Sequence, residues 1–504
     1  MPASLARRPT AAALVACLAV AGLSFLLEPF ALLIDPWAWV VWGRELVHLD
    51  LDTTSGPSWK PLPVLLVAPL SLAGAAAPVL WELMARGGAL LAFVMAWRVA
   101  RRLAGVPAAC VAVAALAVSL LPSWMNIVAM GREEGLLCAL ILWAIERHLA
   151  GRETQAFALG FGAALLRPET WPFFGLYGLW LLWRRPRRHA LVAVLLALLL
   201  PLWFLPDVVT VGDPLQSSQK AQGGISGTTL TEPVRRAYGL VPPALQLAAL
   251  AAAAITARRL RRTGLRAVLR AAAPRGAGAV DLHGERELTV LALFLGALAW
   301  VALVAVTSKV ANYAGISRFQ HPAAAVISVL AGVGAVWAAQ AAAGGLARRR
   351  RGVPAARVPA VLVATVLIGA TLPTLPSRAR QIDEVVKDAR ARSDLDRTLG
   401  DAIDAAGGRE RVLACGFTYT GPGNESALAW HLDRHIDEVS SDAARPPGAV
   451  VRVDSKALRS EKVRRLGIRL YPVRDRIFDP VADAGVWEVL AACRPGAALG
   501  RGPA

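Results

Sequence analysis

From about residue 10 to residue 376 the chain repeats one pattern, an apolar run followed by a short polar break rich in arginine. A transmembrane helix needs about 20 apolar residues and positive loops stay cytoplasmic, so each run is paired with its nearest arginine cluster. This predicts crossings at about 10–34, 80–100, 107–129, 135–150, 154–167, 170–184, 189–206, 238–257, 288–308, 321–343 and 358–376. Arg7 and Arg8, then Arg98, Arg101 and Arg102, then Arg184, Arg185, Arg187 and Arg188, and finally the basic loop 258–286 mark the cytoplasmic side. Segment 62–76 is apolar but interrupted by Pro63 and Pro69, and reads as an interfacial helix. The stretch 154–184 is short for two crossings and is either a pair of tilted half-length helices or one helix broken at Pro168. Arg7 and Arg8 before an apolar run give the N-terminus a signal-peptide character, yet the run continues to Ile34, which predicts a retained first helix.

About eleven crossings from a cytoplasmic N-terminus place the C-terminus outside the cell membrane. Beyond Ser377 the apolar runs stop, so the chain divides into a membrane domain, 1–376, and a soluble domain, 377–504, of ordinary domain size. Residues 383–406 are charged and helical in pattern, whereas Val412–Cys415, Val450–Val453 and Val486–Leu490 read as short strands, with turn residues at 416–424. A small α/β domain is the expectation. In an oxidising compartment Cys415 and Cys493, the two cysteines in polar sequence, are expected to pair.

Composition agrees with this picture: 56% of residues are hydrophobic, 18% are charged and the mean hydropathy is +0.48, values that exclude an ordinary soluble protein. A net charge of +19 would suggest nucleic acid in a soluble chain, but here much of the excess sits between apolar runs, so no nucleic-acid partner is expected. Lys60, Lys220 and Lys309, the lysines of the membrane domain, all fall on predicted outer loops. Chance in an arginine-rich sequence explains that as well as one outward-facing anionic ligand does.

Charged residues near membrane depth are costly and mark candidate function. Four groups lie at predicted outer helix ends: Asp35 to Glu45, leading to Trp59 and Lys60; Arg132, Glu133 and Glu134; Arg167 and Glu169 around Pro168; and Arg318 with His321. Each has a bland reading. Asp35 with Pro36 can cap a helix, Trp37, Trp39 and Trp42 can form an interfacial belt, Arg132 to Glu134 can be a solvated turn, and Arg167 with Glu169 can brace a proline kink. The convergence of acids and bases from separate segments on one side favours function.

These motifs also resemble a family. Asp35 after the first helix, Arg44-Glu45-Leu46, and Lys60-Pro61-Leu62-Pro63 followed by Ala68 to Gly74 look like the first outer loop of the GT-C glycosyltransferases. That superfamily includes protein O-mannosyltransferases, the lipid A aminoarabinose transferase, and actinobacterial arabinosyl- and mannosyltransferases. Arg86 before an apolar run ending at Arg101 to Gly105, the Arg167-Pro168-Glu169 tip, and the stretch from Asn312 to Pro322 resemble later elements. The resemblance implies a polytopic GT-C-like α-helical membrane fold and transfer of a sugar from a polyprenyl-phosphate donor to a glycan, lipid or protein acceptor. It makes Asp35 the general base, with Glu133 or Glu134 as a second acid orienting acceptor or metal, and allows a divalent cation such as Mg or Mn. Lys60 and Arg318 are the leading phosphate partners, with Arg44, Lys220 and Lys309 as further cations, and Arg167, Glu169, His321 and Trp59 as substrate contacts. A lipid-linked substrate transporter, or a non-catalytic protein retaining the fold, is the competing reading.

Overall fold

The computed structural model describes residues 8–222, 229–263, 282–349, 357–473 and 477–494. The first apolar run does not form one helix. It divides into α1 (Arg8–Ser24) and α2 (Ile34–His48), joined by a turn and an extended strap. Pro29 disfavours helical backbone at Glu28, and Pro36 in the first turn suits a new helix start. Asp35 therefore begins a separate helix instead of ending a crossing. Trp37, Trp39 and Trp42, read above as a possible interfacial belt, are 2%, 0% and 0% exposed because this part of α2 is enclosed on all sides, Trp37 against His431 of the C-terminal domain, Trp39 against Trp81 of the bundle and Trp42 against Trp59.

The bundle continues through α3 (Pro61–Ser71), α4 (Ala77–Ala104), α5 (Val106–Ile127), α6 (Glu134–Leu149), α7 (Glu153–Ala164), α8 (Trp171–Arg184) and α9 (His189–Thr210). Next come α10 (Gln216–Gln222), α11 (Thr231–Leu240), α12 (Pro243–Thr263), α13 (Leu282–Val310), α14 (His321–Arg349) and α15 (Arg357–Thr371). Among the described residues six helical stretches are long and apolar enough to cross a membrane, and α11 with α12, bent by 96°, reaches the same length and apolarity only when the two are taken as one span. The other four predicted crossings are α1, α6, α7 and α8, of 17, 16, 12 and 14 residues. At 1.5 Å per residue each is shorter than a hydrocarbon core of about 30 Å. The predicted stretch 154–184 is two short helices separated by a single turn at Pro168–Thr170. Of the basic loop predicted at 258–286, residues 264–281 lie outside the described residues.

The central helix is α14, most of whose apolar span is buried, and small residues set its packing. A Cβ on Gly334 would lie 1.8 Å from the Ala248 carbonyl oxygen of α12, so only glycine permits that backbone approach.

A long helix, α16 (Leu375–Ala405), leads from the bundle into the C-terminal domain, so the boundary drawn at 376/377 falls within its first turn. The segment Val412–Cys415 belongs to α17 (Arg409–Cys415), not to a strand, and the strand is β1 (Phe417–Thr420) directly after it. Gly416 makes the switch with φ 143°, and a Cβ there would be 2.3 Å from the Pro447 carbonyl oxygen. Helix α18 (Glu425–Leu432), β2 (Val439–Ser440), β3 (Gly448–Val453), β4 (Asp479–Ala484) and β5 (Trp487–Ala492) complete a sheet of order β2-β1-β3-β5-β4. Strand β1 runs parallel to β2 and β3, whereas β5 is antiparallel to β3 and β4. A disulfide joins Cys415, ahead of β1, to Cys493 after β5.

Candidate functional site

Five separate segments meet at the end of the bundle that carries the C-terminal domain. The first turn of α2 supplies Asp35, the start of α3 supplies Lys60, and the α5–α6 turn with the first residue of α6 supplies Arg132, Glu133 and Glu134. The α7–α8 tip supplies Arg167 and Glu169, and the turn before α14 supplies Tyr313, Arg318 and Phe319. Arg132 grips Asp35 with both terminal nitrogens, one of them 3.3 Å from Oδ1. Lys60 pairs with Glu133 and lies 5.1 Å from the centre of the Trp39 ring.

Arg167 is the hub. Its Nε lies 3.6 Å from Glu133, its Nη2 3.2 Å from Glu134 and its Nη1 3.4 Å from Glu169. Nη1 also donates to the Tyr313 hydroxyl at 3.1 Å, and the guanidinium stacks 3.9 Å from the centre of Phe319. Arg318 reaches Glu134 at 3.3 Å. Glu133 and Glu134 are fully buried and Arg167 is 2% exposed, whereas the Asp35 side chain keeps 18% of its surface. Burial pushes the Asp35 carboxyl up, but Arg132, Lys60 and Arg167 outweigh it and hold the group below the usual aspartate range.

The site is fixed from both sides of the strap. From α4, Glu82 accepts from the Ala31 N–H at 3.1 Å, and Arg86 donates to the carbonyls of Glu28 and Ala129. From α16, Asp396 accepts from the Leu32 N–H at 2.8 Å and Arg392 donates to the Leu32 carbonyl at 3.3 Å. The Leu33 N–H donates to the Met130 carbonyl, tying the strap to the turn that carries Arg132. Glu82 was not singled out, although its i,i+4 spacing to Arg86 inside an apolar run was a signal the sequence carried. Nothing in the spacing of Arg392 and Asp396 announces a partner some 360 residues away.

Not every residue singled out from the sequence joins this cluster. Arg44 pairs with Asp433 at 2.8 Å and donates to the Arg434 carbonyl at 2.7 Å, so it docks the C-terminal domain. Lys220 donates to the Thr53 carbonyl at 2.7 Å, in a latch where buried Asp207 accepts from the Thr53 hydroxyl and the Ser217 N–H. Trp59 belongs to the same latch through Ser217 and caps the Leu202 carbonyl with its indole N–H. Lys309 is exposed in the last turn of α13 and takes part in none of the cluster's contacts. His321 is buried between α5 and α14, 3.0 Å from the Ser123 hydroxyl and accepting from the Trp124 indole. Trp39, read as part of an interfacial belt, and Tyr313 and Phe319, inside the stretch from Asn312 to Pro322, line the cluster although none was given a role there, because an aromatic side chain carries no charge to mark it.

Among the described residues no three carboxylate, imidazole or thiol groups converge to hold a metal ion. The donor chemistry gives the reason: each acid of the cluster already faces an arginine or lysine, so the residues present do not fit a divalent cation. What the arrangement can do is present a proton-accepting carboxylate beside a bank of cations, with water largely excluded.

No protein-family model matches the chain, and no curated protein matches it in sequence. Two crystal structures of ArnT from Cupriavidus metallidurans are similar to it in fold. The structure bound to undecaprenyl phosphate is 16% identical with a TM-score of 0.53, covering 97% of this chain and 99% of ArnT. The apo structure is 16% identical with a TM-score of 0.52, covering 99% and 100%. Over nearly its whole length, therefore, this chain shares the fold of ArnT.

Proposed function

We propose that the protein is an integral-membrane glycosyltransferase that moves a sugar from a polyprenyl-phosphate donor to a glycan, lipid or protein acceptor outside the cytoplasm. The observation that carries this reading is the burial of Lys60, Arg132, Arg167 and Arg318 against four carboxylates at one end of an apolar bundle. Charges kept at such cost are functional by default. An apolar cavity of about 460 Å³ begins at Thr170, Phe173 and Pro322, beside Glu169 and His321 in the chain, and extends to Tyr177 and Trp180. An isoprenoid tail seated there would carry its phosphate to the cluster. Likeness of fold to a protein crystallised with undecaprenyl phosphate favours the same class of carrier here.

In this reading an acceptor hydroxyl oxygen attacks the anomeric carbon of the donor sugar, and the bond from that carbon to the phosphate oxygen breaks. The hydroxyl proton passes to Asp35, and polyprenyl phosphate leaves with the bonding electrons. Asp35 suits the role because it is more exposed than Glu133, Glu134 and Glu169, and its arginine partner keeps it ionised and able to accept. Negative charge grows on the departing phosphate, where Lys60 serves as a point charge and Arg318 as a planar fork. The cations in this mechanism are the protein's own. Mannosyl and arabinosyl donors are the sugars that the family resemblance suggests.

Purified protein given labelled decaprenyl-phosphate mannose or arabinose should release polyprenyl phosphate and transfer sugar. Movement of intact lipid between leaflets with no transfer would assign a transporter instead. The reading also needs the C-terminal domain in the plasma membrane's outer compartment, with the N-terminus cytoplasmic. Reporter fusions after Arg380 and within 258–286 should fall in opposite compartments, and the same compartment for both overturns the topology.

A further inference from the structure

We propose that Glu134 is a built-in counter-anion: its carboxylate holds the guanidinium groups that a lipid phosphate takes, and releases them when the phosphate arrives. This rests on the lipid-phosphate reading above. The cluster is balanced charge for charge, Lys60, Arg132, Arg167 and Arg318 against Asp35, Glu133, Glu134 and Glu169. A phosphodiester donor brings one further negative charge, and the monoester product carries about −1.5 to −2 at neutral pH. In a site closed to water an extra anion without a cation of its own is strongly disfavoured. One carboxylate must therefore give up its partners.

Glu134 differs from the other three acids in what it holds. Asp35 is gripped by both arms of Arg132, and Glu133 is shared between Lys60 and Arg167. Glu169 faces Arg167 in its own turn. Glu134 is the acid whose two partners are both guanidinium groups, its Oε1 taking Arg167 at 3.2 Å and Arg318 at 3.3 Å, while its Oε2, like those of Glu133 and Glu169, is buried with no hydrogen-bond partner. Withdrawing this one carboxylate frees Arg318 and the Nη2 arm of Arg167, whose Nε and Nη1 stay beside Glu133 and Glu169, and leaves the Lys60–Glu133 and Arg132–Asp35 pairs intact. Arg318 is 20% exposed against 2% for Arg167, so an arriving phosphate meets Arg318 first. Glu134 also opens α6, where the aligned backbone dipoles favour an anion of either kind, carboxylate or phosphate.

Removing the charge at position 134 should then strengthen phosphate binding and slow product release. The test uses the full-length protein in detergent micelles with decaprenyl phosphate as the probe, and compares wild type, Glu134→Gln and Arg318→Ala. Glu134→Gln should bind the probe about 10-fold more tightly, with a lower turnover and a lower KM, because a competing anion is lost but no cation is. Arg318→Ala should bind it about 10-fold more weakly. If Arg318→Ala weakens binding while Glu134→Gln leaves it unchanged or weaker, the counter-anion role is overturned and the lipid-phosphate reading survives. If neither variant alters binding, both fail. Should Glu134→Gln not fold, by its thermal melt, Glu134→Asp draws the carboxylate back by one methylene. A smaller gain in affinity supports the proposal, and none or a loss overturns it.

Discussion

The two ends of α2 carry ionic groups of the same kinds in opposite surroundings. At its start Asp35 meets Arg132 and, beyond it, a cluster in which Glu133 and Glu134 are fully buried and Arg167 is 2% exposed. At its end Arg44 meets Asp433, 53% exposed, while His435 lies 3.0 Å from Glu45 and 3.1 Å from Asp50, 75% exposed. Water screens Asp433 and Asp50 in the second group, though Glu45 is only 3% exposed, and the group forms a seam between α2 and the C-terminal domain. The first group has no such screening and survives because its charges match one another. Identical side chains thus meet different surroundings: at the start of α2 carboxylates and cations are held together away from water, and at its end they fasten α2 to the C-terminal domain.

The largest effect should come from the buried end. Asp35→Asn keeps shape and much of the hydrogen bonding but removes the proton acceptor, so sugar transfer should fall by about 10²- to 10⁴-fold with an unchanged melting curve. Near-normal turnover in folded protein would return Asp35 to a capping role. Next is Arg167→Ala, which leaves three buried carboxylates without their shared guanidinium. It should cost about 3–5 kcal/mol in stability, read as a large drop in melting temperature. A drop no larger than that of a surface variant would mean that water reaches the cluster.

At the seam the effects should be small. Arg44→Ala should cost about 1 kcal/mol or less, since its partner Asp433 is half exposed. A cost comparable to that of Arg167→Ala would show that the two ends do not differ as described. The seam should instead reveal itself through pH. Burial pushes the Glu45 carboxyl up to about 7 from its ordinary 4.5, while the carboxylates of Glu45 and Asp50 outweigh burial at His435 and raise it above 6.5. Both groups hold their protons more tightly when folded, so their contribution is complete below about pH 4.5 and is lost as pH rises through 7. The melting temperature should decline modestly across that window, and Glu45→Gln with His435→Ala should flatten the decline. An unchanged slope in the double variant would place the titrating groups elsewhere.

How much of this was legible in the sequence varies with the kind of signal. Helices α5, α13 and α14 follow the apolar runs closely, because backbone polar groups in hydrocarbon leave helix as the open choice. The break between α1 and α2 was not legible from hydropathy, since Phe25 to Ile34 remains largely apolar and the burial of Trp37, Trp39 and Trp42 is supplied by three other segments, around His431, Trp81 and Trp59. At the site, the groups around Asp35, Glu133, Arg167 and Arg318 were recognisable as costly charges at helix ends. Arg44, Lys220 and Lys309 satisfied the same criterion, yet two of them fasten loops or domains and the third is exposed. A count of charges at one depth cannot separate a ligand-binding cation from one already paired.

By itself the sequence determined the solvent of this protein, the α-helical bundle and the segments that could carry charge, because these depend on local hydropathy and on the price of burying an ion. The tertiary structure alone decided which charges meet. Arg132 rather than Lys60 grips Asp35, Glu134 rather than Glu133 holds Arg318, and Asp396 reaches back to position the strap before Asp35. Those pairings depend on distances of a few ångströms between segments 97 to 364 residues apart. Coulomb and hydrogen-bond energies vary steeply over that range, and no local pattern in the chain encodes them.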